Sequence, residues 1–104
     1  MNRDRLIRFA QALVQEPSLS CQEERVARRV LDEMRSLGYD HVDLDRYGNA
    51  IGIIEGSRPG PTVLLDAHTD TVDVTGAVPW RGDPFSGTVV DGFLQGRGSA
   101  DMKG

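Results

Sequence analysis

The sequence has few residues that could form covalent cross-links and no segment that could enter a membrane. Its 104 residues include one cysteine, Cys21, which cannot form an internal disulfide. Nothing in the chain therefore requires an oxidising compartment. Arg8 closely follows Leu6 and Ile7, so the N-terminus lacks the apolar core of a signal peptide. No apolar run has the length of a membrane span. We expect a cytoplasmic protein with no membrane partner.

Clustered positive charge is also lacking. The net charge is −4 and the isoelectric point is about 5.0. The basic residues are scattered, and Lys103 is the single lysine. Nucleic-acid-binding domains usually carry a concentrated basic face, so we expect no nucleic-acid partner. The proportions of hydrophobic (38%) and charged residues (27%) are typical of a globular protein. The length fits one small domain or a piece of a larger one.

Two amphipathic stretches predict helices near residues 3–15 and 21–37. Pro17 ends the first, because the residue before a proline is disfavoured in the helical conformation. Ser20 and Glu23 have the spacing of a capping box, which predicts the start of the second helix. Gly38 can adopt the left-handed conformation that often ends a helix. The apolar stripes consist of Leu6, Ile7, Ala10, Leu13 and Val14 in the first helix, and Val26, Ala27, Val30, Leu31, Met34 and Leu37 in the second.

The middle of the chain predicts strands. Apolar and acidic residues alternate over 42–45, and residues 50–54 follow a turn at 47–49 and predict a second, more buried strand. The unbroken apolar run at 63–65 predicts a buried central strand at about 61–67. We therefore expect an α/β fold in which helices flank a mixed sheet.

The remaining part of the chain predicts a long loop and a hairpin. Residues 71–86 lack periodicity, and loops of this length are usually functional or disordered. Trp80 and Phe85 are expected to anchor this loop. Asp91-Gly92 is a strong signal for a tight turn between two short strands within residues 87–95.

His68 and Asp70 follow the predicted central strand. In an extended segment, residues two apart point to the same side. An imidazole beside a carboxylate can be a metal ligand with its orienting partner, or half of an acid–base pair. The alternative is an ordinary polar turn at the end of a strand, because short motifs often occur by chance.

A second polar cluster lies in the glycine-rich segment 96–104, GRGSADMKG. Asp101 is its one acidic residue, and the glycines allow sharp bends or close backbone approach. A structural loop is one interpretation of this segment alone. A nucleotide-binding turn built on Gly96-x-Gly98 is disfavoured, because the third glycine and the later acidic residue are missing.

Taken together, these segments resemble the zinc-dependent aminoacylase and carboxypeptidase family, which includes glutamate carboxypeptidases, succinyl-diaminopimelate desuccinylases and acetylornithine deacetylases. The resemblance rests on LLDAHTDTV, Trp80, Asp83-Pro84-Phe85, Asp91-Gly92 and GRGSADMKG, in that order. It implies that residues 1–104 form the N-terminal, incomplete portion of a metallohydrolase catalytic domain with a zinc-exopeptidase-like fold.

The resemblance also implies roles for individual residues. His68 would be a ligand to one zinc, and Asp101 would bridge two zincs, with cobalt or manganese as alternative metals. Asp70 would be the catalytic carboxylate that orients His68. The family tends to have a cis peptide bond after the bridging aspartate, here Asp101–Met102. The implied substrate is a small peptide or an N-acyl amino acid, and a homodimer could form through a domain absent here.

The resemblance is incomplete, and this leaves two functional hypotheses. In the family, an adjacent pair of glutamates further along, another acidic ligand and a late histidine complete the site. We therefore expect weak zinc binding and no hydrolysis by residues 1–104 alone. The first hypothesis is a zinc-dependent amide hydrolase represented by its N-terminal part. The second is a truncated, non-catalytic folded module, which a stop codon after Gly104 would favour.

Overall fold

A computed structural model describes residues 2–76 and 79–104, which form two helices and two β-hairpins. The presence of both helices and strands confirms the expected mixed α/β class. Within the described ranges, no helix is both long enough and apolar enough to cross a membrane. In chain order the elements are α1 (Arg3–Val14), α2 (Glu24–Ser36), β1 (His41–Leu44), β2 (Ala50–Ile53), β3 (Thr88–Val90) and β4 (Phe93–Gln95).

The two helices supply the buried core. The Asn2 side chain caps α1 by accepting a hydrogen bond of 3.0 Å from the backbone N–H of Arg5. The predicted apolar stripes meet between the helices, and full burial of one large aliphatic side chain contributes about 1.5–3 kcal/mol. The buried apolar residues are Leu13, Val14, Val26, Ala27 and Leu31.

The predicted capping box does not form, and α2 begins at Glu24 instead of near residue 21. Cys21 has a left-handed backbone with φ of 68°, which turns the chain between the two box residues. Glu23 accepts a hydrogen bond from the N–H of Cys21 at 2.8 Å, and the Ser20 hydroxyl donates to Asp70. The Ser20 side chain therefore binds Asp70 and does not cap α2.

The end of α2 follows the sequence prediction. Gly38 has φ of +78°, which places it in the left-handed region. Its N–H donates to the carbonyl of Arg35, and the N–H of Tyr39 donates to the carbonyl of Met34. This pair of hydrogen bonds is a Schellman motif, which satisfies two carbonyls at the helix end.

The first hairpin also forms as predicted. Strands β1 and β2 pair antiparallel, with His41 opposite Ile53 and Leu44 opposite Ala50. Helix α2 packs against both strands. Gly52 is needed there, because an added Cβ would lie 2.7 Å from the Met34 sulfur.

The prediction that β2 is the more buried strand is wrong. Ile51 and Ile53 are exposed, because they point away from α2. Ala50 and Gly52 are the partly buried positions of this strand.

The predicted central strand is also wrong. Residues 61–67 form no strand, and the side chains of Leu64 and Leu65 are 85% and 91% exposed. A strand requires a neighbour to complete its backbone hydrogen bonds, and no described segment pairs with this one. Both sheets in the described ranges are antiparallel pairs, so the mixed sheet is not observed.

The second hairpin, β3–β4, turns at Asp91-Gly92 as predicted, and both turn residues have positive φ. Helix α1 binds the chain just before β3. The side-chain amides of Gln11 and Gln15 donate hydrogen bonds to the carbonyls of Gly87 and Ser86, at 2.7 and 2.9 Å. These glutamines, expected on the polar side of α1, therefore connect the helix to the second hairpin.

Candidate metal site

The segment that carries His68 and Asp70 is held by the connection between α1 and α2. Thr71 donates its backbone N–H to the carbonyl of Ser18 at 2.7 Å. The Ser18 hydroxyl donates to the carbonyl of Thr69, also at 2.7 Å. Ser18 is buried, so these hydrogen bonds are shielded from water. These hydrogen bonds to the α1–α2 connection, and not pairing within a sheet, therefore hold the segment in position.

The three predicted site residues lie together. His68 Nε2 is 2.9 Å from Asp101 Oδ1, although the two residues are 33 positions apart. His68 Nδ1 is 3.2 Å from both the carbonyl oxygen and the Oδ1 carboxylate oxygen of Asp70. Of these two contacts, the one to the carbonyl has hydrogen-bond geometry, whereas Oδ1 contributes mainly its charge. The Asp101–Met102 peptide bond is cis, as the resemblance predicted.

Both ring nitrogens of His68 face oxygen atoms that accept hydrogen bonds. The carbonyl of Asp70 can only accept, so Nδ1 carries a proton in this contact. The hydrogen bond to the Asp101 carboxylate, followed by the one to Asp70, raises the pKa of His68 above its usual value. The pKa of Asp70 is lowered, chiefly by the hydrogen bond from Ser20. The His68 side chain is 49% exposed, so water screens these interactions.

The glycine-rich segment packs closely against the His68 segment. Gly98 is buried with φ of +83°, and an added Cβ would lie 2.8 Å from the Thr71 methyl carbon. The backbone N–H of Lys103 donates to the Gly98 carbonyl at 2.7 Å and closes the turn around Asp101. The left-handed glycine and this hydrogen bond together bring Asp101 beside His68.

Lys103 and Glu16 join this turn to the helices. The buried Lys103 ammonium donates to the backbone carbonyl of Glu16 at 2.6 Å, and burial lowers the pKa of Lys103. The Glu16 carboxylate is also buried and accepts a hydrogen bond of 2.6 Å from Arg29. Its other oxygen lies 2.9 Å from Arg25 without hydrogen-bond alignment. Glu16 therefore connects both helices to the Asp101 turn.

Arg97 lies beside the site and contacts the long loop. Its guanidinium lies over the Trp80 ring, 4.9 Å from the centroid, and donates to the carbonyl of Asp73 at 3.2 Å. The backbone N–H of Arg97 donates to the carbonyl of Pro84 at 2.7 Å. Trp80 contacts the rest of the chain through Arg97 but is 39% exposed, whereas Phe85 is half-buried. A cleft of about 270 Å³ lies between residues 68–72 and residues 96–101 of the glycine-rich segment.

The donor set at this cleft suits zinc but is small. Zinc binds imidazole nitrogen and carboxylate oxygen at about 2.0–2.2 Å. Because His68 Nε2 and Asp101 Oδ1 are 2.9 Å apart, one ion could contact both atoms. Metal binding would require loss of the proton between these two atoms. No group of three or more potential ligands is present in residues 2–76 and 79–104. The ligand roles of His68 and Asp101 therefore stay predictions.

Ser18, Ser20 and Glu16 are parts of this arrangement that the sequence does not predict. The spacing of Ser20 and Glu23 predicts a helix cap, and no pattern in the sequence indicates a distant partner for Ser18 or Glu16. No local pattern distinguishes these roles, because their partners lie roughly 50 to 90 positions away.

In comparisons with known proteins, the part of the chain that carries these residues is similar to a family of peptidases. Residues 64–104 match the model of peptidase family M20/M25/M40. This match contains His68, Asp70 and Asp101 and agrees with the resemblance found in the sequence.

Two curated relatives extend the similarity over almost the whole chain. The uncharacterized protein YgeY of Escherichia coli strain K12 is 40% identical over 99 residues, which cover 95% of this chain. YgeY of Escherichia coli O157:H7 has the same identity and coverage. The chain spans about a quarter of the length of these relatives, since the alignment covers 24% of each.

Proposed function

We propose that this chain is the N-terminal part of a zinc-dependent peptidase or N-acyl amino acid deacylase of the M20/M25/M40 family. The observation that carries the proposal is the convergence of His68 and Asp101, with Nε2 and Oδ1 separated by 2.9 Å. Both residues lie in the segment that matches the family model.

In the proposed site, His68 and Asp101 would bind metal, and Asp70 would hold the imidazole in the orientation that presents Nε2, through the hydrogen bond to its carbonyl and the charge of its carboxylate at 3.2 Å. Held there, zinc would make available a nucleophilic water at neutral pH and a Lewis acid for the scissile carbonyl. Two protein ligands are fewer than the three of typical catalytic zinc sites. Residues 1–104 alone should therefore bind zinc weakly and hydrolyse nothing, and the remaining ligands and the general base would come from further sequence.

Calorimetry with zinc on the 104-residue chain tests the metal site. We expect weak binding that His68→Ala and Asp101→Asn abolish. His41→Ala is a matched control, because His41 is exposed and also pairs with a carboxylate, Glu55, at 3.1 Å. Zinc binding that survives His68→Ala, or that His41→Ala weakens equally, would place the metal elsewhere.

A chimaera tests the activity. Residues 1–104 would replace the aligned part of YgeY, and the chimaera and intact YgeY would be assayed in parallel, with zinc, against dipeptides and N-acyl amino acids. We expect the chimaera to retain hydrolysis, and His68→Ala in the chimaera to lower kcat by at least a hundredfold, in line with loss of a metal ligand. A folded but inactive chimaera beside an active YgeY would favour the non-catalytic module.

A further inference from the structure

The connection between α1 and α2 fixes the backbone on both sides of Asp70. The Ser18 carbonyl accepts from the N–H of Thr71, and the Ser18 hydroxyl donates to the carbonyl of Thr69. These contacts hold the backbone of Asp70 but leave its side-chain torsions free. A separate contact must set the direction of the carboxylate.

That contact is made by Ser20. Its hydroxyl donates a hydrogen bond of 2.7 Å to Asp70 Oδ2. With Oδ2 engaged, Oδ1 lies 3.2 Å from His68 Nδ1. The backbone around Ser20 is itself constrained, because the next residue, Cys21, donates its N–H to the Glu23 carboxylate at 2.8 Å.

We propose that Ser20 is a positioning residue of the metal site, which acts through Asp70 to orient His68. The inference rests on the proposed function, because it assigns Ser20 a role only if His68 binds metal through Nε2. Ser20 touches neither the metal ligands nor the cleft. Its hydroxyl restricts rotation of the Asp70 carboxylate and so keeps the charge of Oδ1 at 3.2 Å from His68 Nδ1, beside the Asp70 carbonyl that accepts the hydrogen bond from Nδ1.

The expected effect is moderate. Replacing a group that hydrogen-bonds a metal-ligating histidine typically lowers metal affinity by about 10- to 100-fold. Ser20 is one contact further from the metal, and the half-exposed Asp70 can accept a hydrogen bond from water instead. We expect Ser20→Ala to weaken zinc binding by roughly three- to tenfold. Ser20→Thr keeps the hydroxyl and should restore binding to within about twofold.

The experiment uses the 104-residue chain and two measurements. Calorimetry with zinc gives the affinity, and nitrogen-15 NMR of the metal-free protein gives the exchange rate of the His68 Nδ1 proton. We expect this exchange to be faster in Ser20→Ala than in the wild type or in Ser20→Thr. Ser36→Ala is the matched control, because Ser36 also lies near a carboxylate, Glu33, but is remote from the site.

A double-mutant cycle tests whether Ser20 acts through Asp70. In an Asp70→Asn background, Ser20→Ala should cause little further change in zinc affinity, because the carboxylate that it orients is gone. Equal losses in the two backgrounds would overturn the inference. So would a Ser20→Ala variant whose proton exchange and affinity match those of Ser36→Ala.

The two proposals fail in different ways. If His68→Ala leaves zinc binding unchanged, the proposed metal site is wrong. If His68→Ala abolishes binding but Ser20→Ala does not weaken it, the site stands and the positioning role of Ser20 is refuted. A general loss of structure in Ser20→Ala that Ser20→Thr does not restore would also refute the positioning role.

Discussion

Gly98 provides a sharp test of how the two site segments pack. Gly98 and Gly92 have the same backbone angle, with φ of +83° at both positions. An added Cβ at Gly98 would lie 2.8 Å from the Thr71 methyl carbon and 3.2 Å from a carbon of Lys103. At Gly92 the same Cβ would meet nothing within 4 Å. The Gly92→Ala variant is therefore a control for the backbone angle alone.

The magnitudes of the two substitutions follow from these contacts. A left-handed alanine costs about 1–2 kcal/mol in either variant. Overpacking at Gly98 adds about 1–3 kcal/mol, as in other crowded interiors. Lys103 cannot easily move aside, because its ammonium is buried and bound to the Glu16 carbonyl. We expect Gly98→Ala to be less stable than Gly92→Ala by about 1–3 kcal/mol.

The assay is urea unfolding followed by circular dichroism and by fluorescence of the single tryptophan. Trp80 contacts Arg97, which precedes Gly98, so its fluorescence reports on this segment. With a slope of about 1 kcal/mol per molar urea, the two midpoints should differ by about 1–3 M. Equal losses of stability in the two variants would show that the close approach of Gly98 to Thr71 contributes nothing.

Three further measurements test other features of the structure. Glu16→Ala should lower the free energy of unfolding by about 1–2 kcal/mol. This loss is smaller than for a fully buried ion pair, because the two arginine partners of Glu16 are 44% and 78% exposed. As a control, Arg28→Ala, which removes an exposed ion pair within α2, should change the free energy of unfolding by under about 0.5 kcal/mol. Leu65→Ala should change stability by under about 0.5 kcal/mol in urea unfolding, while Leu31→Ala should cost about 2–5 kcal/mol; equal losses would mean that Leu65 is buried. Hydrogen bonds from the Asn49 side chain and from backbone N–H groups lower the pKa of Asp45 below 3.8, so their stabilisation is fully present above that pH and is lost as the pH falls through the folded pKa. The urea midpoint of the wild type should therefore fall more steeply than that of Asp45→Asn between about pH 5 and pH 2, and parallel curves would contradict this.

The sequence by itself determined the features that depend on neighbouring residues. The two helices, the β1–β2 hairpin and the Asp91-Gly92 turn formed close to the predicted positions. Each of them is specified by local periodicity, or by a glycine or other turn residue within a few positions. The sequence also identified His68, Asp70 and Asp101 as a group, through the resemblance of their segments to a known family.

Tertiary structure alone decided the features that depend on distant partners. Residues 61–67 have the apolar composition of a central strand, but a strand forms only beside another strand, and no described segment pairs with this one. Ser20 and Glu23 have the spacing of a capping box, but the turn at Cys21 directs Ser20 to Asp70, 50 positions away. Hydrogen bonds between such distant residues depend on how the whole chain packs, and short-range sequence patterns do not encode that packing.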